Sequence, residues 1–217
     1  ASVLGGSLLY GGAAAAATEA GTYTGGIVPS GLSSTNYTFE YVPGNLVISP
    51  RPLTIRANAH SKVYGQPDPV LTREITSGSL ASGQVLSGSL QRATGENVGS
   101  YGISLSGLKI EDAQQTERTH NYEIEFLGAN LSITPAPLTI IADHKEKVYD
   151  GYTFGSFTVQ VMGLVNGDEP ADVLGLPHGL GFNLSVINAI DAGTYPINPG
   201  VDPEYRNPNY SYSFQNA

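Results

Sequence analysis

Apolar and polar residues alternate over short stretches of this chain, as they do in strands with one buried face. Leu53-Thr54-Ile55-Arg56-Ala57 shows this period of two residues, which is typical of a half-buried strand. Proline, glycine and asparagine separate such stretches and predict turns between them. The same pattern predicts further strands at residues 36–42, 45–49, 70–76, 89–93, 100–105, 122–127 and 130–134. We therefore predict an all-β chain.

Helical patterning is confined to one place. Asp168 can cap a helix start, Pro170 is tolerated in the first turn and Gly175 can end the helix, so we expect one short helical turn over residues 168–174. The alanine run at residues 13–17 is too short to hold a helix in water. Residues 111–121 have no apolar period, and we expect a solvated loop there.

The pattern recurs at a fixed distance of 85 residues. Lys62-Val63-Tyr64 returns as Lys147-Val148-Tyr149, and Asn45-Leu46 returns as Asn130-Leu131. A constant period is the signature of a tandem array of modules. We predict the second half of a repeat at residues 1–49, a complete second repeat at 50–134, and a third repeat at 135–217 that lacks its last strand. We expect the sequence to begin inside a longer protein.

Two prolines stand at each predicted joint between repeats. These are Pro50 and Pro52 at the first joint, and Pro135 and Pro137 at the second. Proline fixes its own φ and biases the preceding residue toward extended geometry. We therefore expect stiff, extended joints.

Tyrosine recurs at equivalent positions of the repeats. Tyr23, Tyr101 and Tyr195 each follow a glycine by two positions at a predicted strand start. This spacing is typical of a tyrosine corner, in which the phenol closes a loop by bonding to upstream backbone. An alternative is a platform for stacking sugars, but recurrence at one module position favours the structural role. We interpret Tyr64 and Tyr149, which end the first strand of their repeats, in the same structural way.

Asparagine recurs as well, directly before a tyrosine. The three positions are Asn36, Asn121 and Asn209. Asparagine often bonds to its own backbone at a turn, and we expect such local hydrogen bonds here.

Composition removes several classes of function. With 19 acidic and 10 basic residues the formal charge is −9, so the chain has no long-range attraction for nucleic acid. It contains no cysteine, which removes disulfides, thiolate catalysis and cysteine metal sites. No run of 18 apolar residues occurs, so we expect no membrane insertion.

Candidate chemistry is sparse. Asp168, Glu169 and Asp172 form the densest acidic group and could bind calcium, although they lack the alternating carboxylates and fixed glycine of a calcium loop. Acidic residues at a helix N-terminus are an equally good explanation. No nucleophile elbow, phosphate loop or dinucleotide fingerprint is present. We therefore expect no enzyme activity and no cofactor, and leave calcium and a lysine cross-link, for example from Lys62, as open alternatives.

Several motifs together resemble a known family. The segment Lys62-Val63-Tyr64-Gly65-Gln66-Pro67-Asp68-Pro69 is similar to the MBG repeat of bacterial adhesins, as are residues 95–101 and 128–135. Lys147-Val148-Tyr149-Asp150-Gly151 resembles the related YDG-type repeat. The resemblance implies a large secreted, haemagglutinin-like or biofilm adhesin of a Gram-negative bacterium, with modules in tandem and no catalytic site.

Two folds and three functions remain open from the sequence. The tyrosine-corner spacing and even strand rhythm favour tandem antiparallel modules of immunoglobulin-like β-sandwich type, and the alternative is a β-grasp-like module with one short helix. A structural stalk on the bacterial cell surface is the leading function, with neighbouring repeats as its partners. The alternatives are a module that binds host or matrix glycans or proteins through loops 111–121 or 172–183, and a filament subunit that exchanges strands at its ends.

Overall fold

The computed structural model describes residues 4–217, so residues 1–3, with which the first predicted repeat begins, lie outside the described residues. The strands are β1 (Gly5–Gly11), β2 (Gly21–Ser33), β3 (Gly44–Ile48), β4 (Arg51–Ala57), β5 (His60–Val63), β6 (Arg73–Ser77), β7 (Val85–Arg92), β8 (Gly99–Glu111), β9 (Tyr122–Leu127), β10 (Ala129–Thr134), β11 (Ala136–Ala142), β12 (Val159–Met162), β13 (Leu180–Phe182), β14 (Pro199–Val201) and β15 (Tyr210–Gln215). The helices are α1 (Pro170–Leu174) and α2 (Leu184–Ile187), with 3-10 turns at Thr119–Asn121 and Pro203–Tyr205.

The all-β prediction is confirmed, and α1 lies where a helical turn was expected. The predicted strand at residues 36–42 is wrong, because those residues are mostly exposed and form no strand. Tyr41 holds that segment through its hydroxyl, which accepts a hydrogen bond from the Leu32 amide at 2.8 Å. β1 and β2 had no counterpart among the predicted strands, because their many glycines hide the alternation.

Some strand pairs are parallel, which corrects the expectation of purely antiparallel modules. β4 pairs with β9, β5 with β10 and β11 with β15 in parallel. A parallel pair needs a long crossover between its strands, and each of these pairs is separated by a long intervening segment that supplies one. The immunoglobulin-like sandwich stays a prediction.

The chain forms two compact units whose limits differ from the predicted repeats. Unit 1 contains the residues up to Ala57, with Thr72–Gln91 and Ser104–Gly128. Unit 2 contains Asn58–Leu71, Arg92–Ile103 and Ala129–Ala217. The second repeat therefore divides its residues between the two units.

Unit 1 contains two three-stranded sheets, in the orders β1-β2-β3 and β6-β4-β9, together with most of β7 and the second part of β8, which are neighbours in a further sheet. Its core consists of Leu53, Ile55, Ile110 and Tyr122, with partly buried residues packed around them. Leu53 and Ile55 are alternate residues of β4, as the period of two predicts for a strand with one buried face.

Unit 2 places β10 between β5, which is parallel to it, and the first part of β8, which is antiparallel. A second sheet has the order β12-β11-β15, and β13 pairs with β14. Ile133 of β10, Leu138 and Ile140 of β11 and Val173 of α1 meet in one core. Among residues 4–217, none of the helices is long and apolar enough to cross a membrane.

Candidate functional site

The recurrent tyrosines close loops in the same way in all three repeats. The hydroxyl of Tyr23 donates to the Glu19 carbonyl oxygen at 2.9 Å, that of Tyr101 to Asn97 at 2.6 Å, and that of Tyr195 to Asp191 at 3.1 Å. Each partner lies four residues upstream. We call each such loop, from the accepting residue to the tyrosine, a corner.

Two of the recurrent asparagines bind to these corners. Asn121 accepts a hydrogen bond from the Ala20 amide and donates to the Glu19 carboxylate within unit 1. Asn209 accepts from the Val98 amide at 2.8 Å and donates to the Asn97 side-chain oxygen at 3.0 Å within unit 2. In both units the asparagine of the later repeat therefore holds the corner of the earlier repeat. We call this two-bond contact the clamp.

The clamp corrects the expectation of local hydrogen bonds for Asn121 and Asn209. Their side chains bond to loops more than 100 residues upstream, because a corner presents an amide donor and an acceptor that together match the carboxamide group. The sequence favours local hydrogen-bond partners for these asparagines, because it does not show which distant residues lie near them in the fold. Asn36 occupies the equivalent position of the first repeat and is exposed. Its backbone amide donates a hydrogen bond to the Ser34 hydroxyl at 3.2 Å.

In unit 1 the clamp is reinforced by charge. The Glu19 carboxylate is paired with Arg118, and the His120 ring nitrogen lies 2.9 Å from it. Hydrogen bonding from Asn121, followed by the charge of Arg118, lowers the pKa of Glu19. Arg118 also binds Asp112 at 2.8 Å. Arg118 and Asn121, which are partly buried, thus tie this loop to the corner, while residues 113–117 are exposed, as expected of a solvated loop.

In unit 2 a four-membered ion cluster lies beside the corner. The Lys62 ammonium is 2.7 Å from Asp68 and 2.6 Å from Glu96. The Arg92 guanidinium forms two bonds to Asp68, at 2.6 and 3.1 Å, and is also paired with Glu96. Arg92 further lies 5.4 Å from the centre of the Tyr101 ring, within the range of a cation–π contact. The cluster therefore joins β5 and its following loop to the corner.

The cluster stabilises its charged forms. Hydrogen bonds from Arg92 and then Lys62 lower the pKa of Asp68 to about 2, and those from Lys62 and Arg92 lower the pKa of Glu96. Burial by itself lowers the pKa of the Lys62 ammonium, but hydrogen bonds to Asp68 and Glu96 outweigh it and raise the pKa overall. Amide formation needs a neutral amine, so this setting disfavours a cross-link from Lys62.

Glycine is required at one point of this corner. Gly95 has a φ of +139°, which L side chains rarely adopt, and a Cβ there would lie 2.3 Å from the Tyr101 ring. The Gly95 carbonyl oxygen also accepts a hydrogen bond from Arg92 at 2.6 Å. The residue before Glu96 is therefore glycine for both steric and conformational reasons.

Tyr64 and Tyr149, which we interpreted alike, lie in different surroundings. Tyr64 is 6% exposed, and its hydroxyl donates to the Asp168 carboxylate at 3.1 Å. The Tyr210 hydroxyl donates to the same oxygen at 2.7 Å, and the two rings meet edge to face at 5.5 Å. Burial is the main cause that raises the pKa of Tyr210 to about 12. Tyr149 is 64% exposed.

The acidic group Asp168, Glu169 and Asp172 has structural partners. The Asp168 carboxylate accepts hydrogen bonds from the hydroxyls of Tyr64 and Tyr210. The Asp172 carboxylate accepts one from the Glu169 backbone amide at 3.0 Å, in a capping box at the start of α1. Within residues 4–217, no group of three acidic or histidine side chains is placed to hold a metal ion. These contacts give the carboxylates of Asp168 and Asp172 structural partners.

The prolines flank or open the strands at the two predicted joints. Pro50 lies between β3 and β4, and Pro135 between β10 and β11. Pro52 and Pro137 occupy the second position of β4 and β11. All four are exposed. Ser49 and Pro50 connect the strands of the first joint, and Pro135 alone connects those of the second.

The ion cluster and the Asp168 contact were missed by sequence reasoning. The partners of Lys62 are not adjacent to it in the chain. The only indication in the sequence that Lys62 has a structural role is that it recurs as Lys147. Lys147 binds Asp150 at 2.5 Å instead. The ion cluster lies within the second repeat and the Asp168 contact joins the second and third repeats, and in both cases the partners come together only through the fold.

Comparison with known proteins identifies the repeats. The family model for the MBG domain (YGX type) matches residues 2–47, 53–132 and 138–217. The third match includes the Tyr149-Asp150-Gly151 segment, so the same model covers the repeat that resembles the YDG type. No curated protein and no solved structure matches the chain. Since the matches cover nearly the whole sequence, the chain belongs to the MBG domain family (YGX type) and carries three of its repeats in tandem.

Proposed function

We propose that this chain is a structural stalk segment of a secreted bacterial surface adhesin, which holds a binding region away from the cell and has no enzyme activity. The observation that carries the proposal is the clamp, which recurs in both units and joins one repeat to the next. Family membership supports it, because MBG repeats are adhesin-type repeats.

The clamp suits a segment that bears load. In unit 2, Asn209 is buried and makes two hydrogen bonds to the corner of the preceding repeat. Breaking them leaves buried polar groups without partners, at a cost of about 1–3 kcal/mol for each group. The ion cluster around Lys62 and Arg92 holds the same corner from within the second repeat. A pull on one repeat is therefore resisted by contacts with the next.

The loop at residues 111–121, which could have served as a binding loop, contributes to the clamp instead. Arg118, His120 and Asn121 all contact Glu19. Side chains used in this way are less available to a glycan or a host protein. This favours the stalk over a binding module that uses this loop.

Single-molecule force spectroscopy tests the proposal. The chain is held at its two ends, and Asn121→Ala and Asn209→Ala variants are compared with Asn36→Ala, whose side chain lies at the equivalent but exposed position. A stalk predicts a lower unfolding force in both clamp variants and no change in the control. Equal unfolding forces in all variants would contradict the role of the clamp.

A glycan array and matrix-protein binding assays complete the test. The stalk proposal predicts no saturable binding by the chain itself. Binding that is lost when the exposed loop residues Leu176 and His178 are replaced by serine, in a variant that remains folded, would favour the binding-module alternative instead.

A further inference from the structure

The sheet β12-β11-β15 ends in a strand that has a neighbour on one side only. β15 pairs with β11 over residues 210–215 without a register shift, so this strand contains no bulge. Within the described residues, no strand pairs with the backbone N–H and C=O groups on its other side. An edge of this kind is a template for pairing with another strand.

The complete second repeat contains the same edge strand. β9 lies beside β4 as β15 lies beside β11, and the two strands have the same alternation of buried and exposed residues. In that repeat the following strand, β10, is present and lies in a different sheet, of order β5-β10-β8-β7, so β9 still ends its own sheet. The free edge is therefore a property of the repeat and does not depend on where the sequence stops.

The two edge strands differ in charge. β9 carries Glu123 and Glu125 at the exposed positions where β15 carries Ser211 and Ser213. Charged side chains on an edge strand oppose pairing with a second copy, because like charges then stand opposite each other. β15 contains no charged residue, no proline and no glycine. The edge of β15 therefore lacks the charge that protects the edge of β9.

β15 also has the composition of a strand that can pair with itself. Its sequence, Tyr-Ser-Tyr-Ser-Phe-Gln, alternates aromatic residues with polar ones, and uncharged segments of high β-propensity pair well with identical segments. Arg206 lies 5.4 Å from the centres of the Tyr212 and Phe214 rings. Since successive side chains of a strand point to opposite faces, this cation is on the face opposite to Ser211 and Ser213.

We propose that β15 is a self-association site, at which the β15 strands of two copies of this chain pair antiparallel, edge to edge. A two-fold axis beside Tyr212 places this residue opposite its own copy, and Ser211 opposite Ser213 of the second copy. This register keeps the aromatic residues of both strands on one face, as a period of two requires. The three strands of each molecule then form one continuous sheet. The inference goes beyond the proposed function, since it adds lateral pairing of two stalk segments to the role of a single one.

The other edge of this sheet is a poorer site. β12 has four residues, whereas β15 has six. The Asp143 carboxylate also lies against β12, 3.0 Å from the Gln160 side-chain amide. Short length and charge both oppose pairing at an edge. Pairing of β15 with β12 of another copy would also continue as an open assembly, whereas pairing of two β15 strands closes at a dimer.

Sedimentation velocity of the full chain over a range of concentrations tests the proposal. The Ser211→Glu/Ser213→Glu variant transfers the charges of β9 to β15. The fold should tolerate this change, because Thr54 donates to Glu125 at 3.2 Å in unit 1 and Thr139 stands beside Ser213 in the same register. We expect a reversible dimer of the native chain. The dissociation constant of the dimer should rise by at least about tenfold in the variant, since two pairs of like charges then face each other.

The Ser79→Glu/Ser82→Glu variant is the matched control, because it adds the same charge to exposed loop residues of unit 1. It should form the dimer as the native chain does. The Glu123→Ser/Glu125→Ser variant should form assemblies larger than a dimer, since each chain then has two unprotected edges. A β9 variant that stays a dimer would contradict the protective role of the glutamates, on which the proposal rests. A monomeric native chain, an open native assembly, or equal dimer formation in the β15 variant and the control would each overturn the proposal.

Amide exchange of the native chain tests the proposal without any substitution. Protection of residues 210–215 should rise with protein concentration, while that of residues 122–127 stays constant. A rise at residues 159–162 in place of 210–215 would put the contact at β12 and overturn the proposal. The force test of the clamps is made on single molecules, so the proposed function fails or stands separately from this pairing.

Discussion

Asn209 of the third repeat donates from its side-chain amide to the side-chain oxygen of Asn97 in the second repeat, at 3.0 Å. Its own side-chain oxygen accepts the adjoining Val98 amide at 2.8 Å. Asn121 contacts Glu19 and Ala20 in the same two-bond manner. A compact unit of this protein is thus made by two successive repeats together, and the second repeat contributes to both units.

Replacement of Asn209 by alanine should destabilise unit 2. The substitution removes both hydrogen bonds of a buried carboxamide and leaves the Val98 amide without its partner. The expected loss in free energy of unfolding is about 1–3 kcal/mol, measured by urea denaturation. Asn36→Ala is the matched control, because Asn36 occupies the equivalent but exposed position. Equal losses in the two variants would contradict the clamp.

Replacement of Tyr64 by alanine should be far more costly than the same change at Tyr149. Tyr64 packs edge to face on Tyr210 and bonds to Asp168, whereas Tyr149 is largely exposed. Deletion of a buried aromatic side chain costs about 3–5 kcal/mol, and an exposed substitution usually stays within about 0.5 kcal/mol. Urea denaturation of both variants checks this. Similar losses would show that the two tyrosines have the same surroundings.

Acid should weaken the ion cluster through Asp68. The pKa of this carboxyl is about 2 in the folded chain and has an ordinary value of 3.8. Its contribution to stability is therefore complete above about pH 3.8, and is lost as the pH falls toward 2, because the unfolded chain takes up the proton first. The difference in thermal stability between the native chain and Asp68→Asn should shrink over that interval. Glu40→Gln, at an exposed position, is the control, and an Asp68→Asn difference that is constant from pH 5 to pH 2 would contradict the account.

The strands of the repeat interior could largely be predicted from sequence. β4, β9 and β10 show the apolar alternation, and Leu53 and Leu138, which are 85 residues apart, occupy the same core position in two repeats. The short helix was also predictable, since Pro170 and Gly175 give its local start and end signals, although its N-cap is Glu169 and not the expected Asp168. These features depend on neighbours within a few residues, so the sequence displays them directly.

The partners of the recurrent polar residues could not be predicted. The three corners follow from local spacing, but the contact of Asn121 with Glu19 joins residues 102 positions apart. The difference between Tyr64 and Tyr149 has the same origin, because burial of Tyr64 depends on Asp168 and Tyr210. Equal motifs acquire different surroundings according to which repeat lies beside them.

The central claim is that unit 2 is one structure formed by the second and third repeats. Hydrogen–deuterium exchange of a Leu138→Asp variant tests it most directly, because Leu138 is 0% exposed in the third repeat and an unpaired charge there should open the core of its unit. The account predicts that faster exchange extends beyond the third repeat to residues 58–71 and 92–103, while residues 72–91 and 104–128 keep the protection they have in the native chain. Faster exchange that stops at residue 135, with the whole second repeat unchanged, would contradict it.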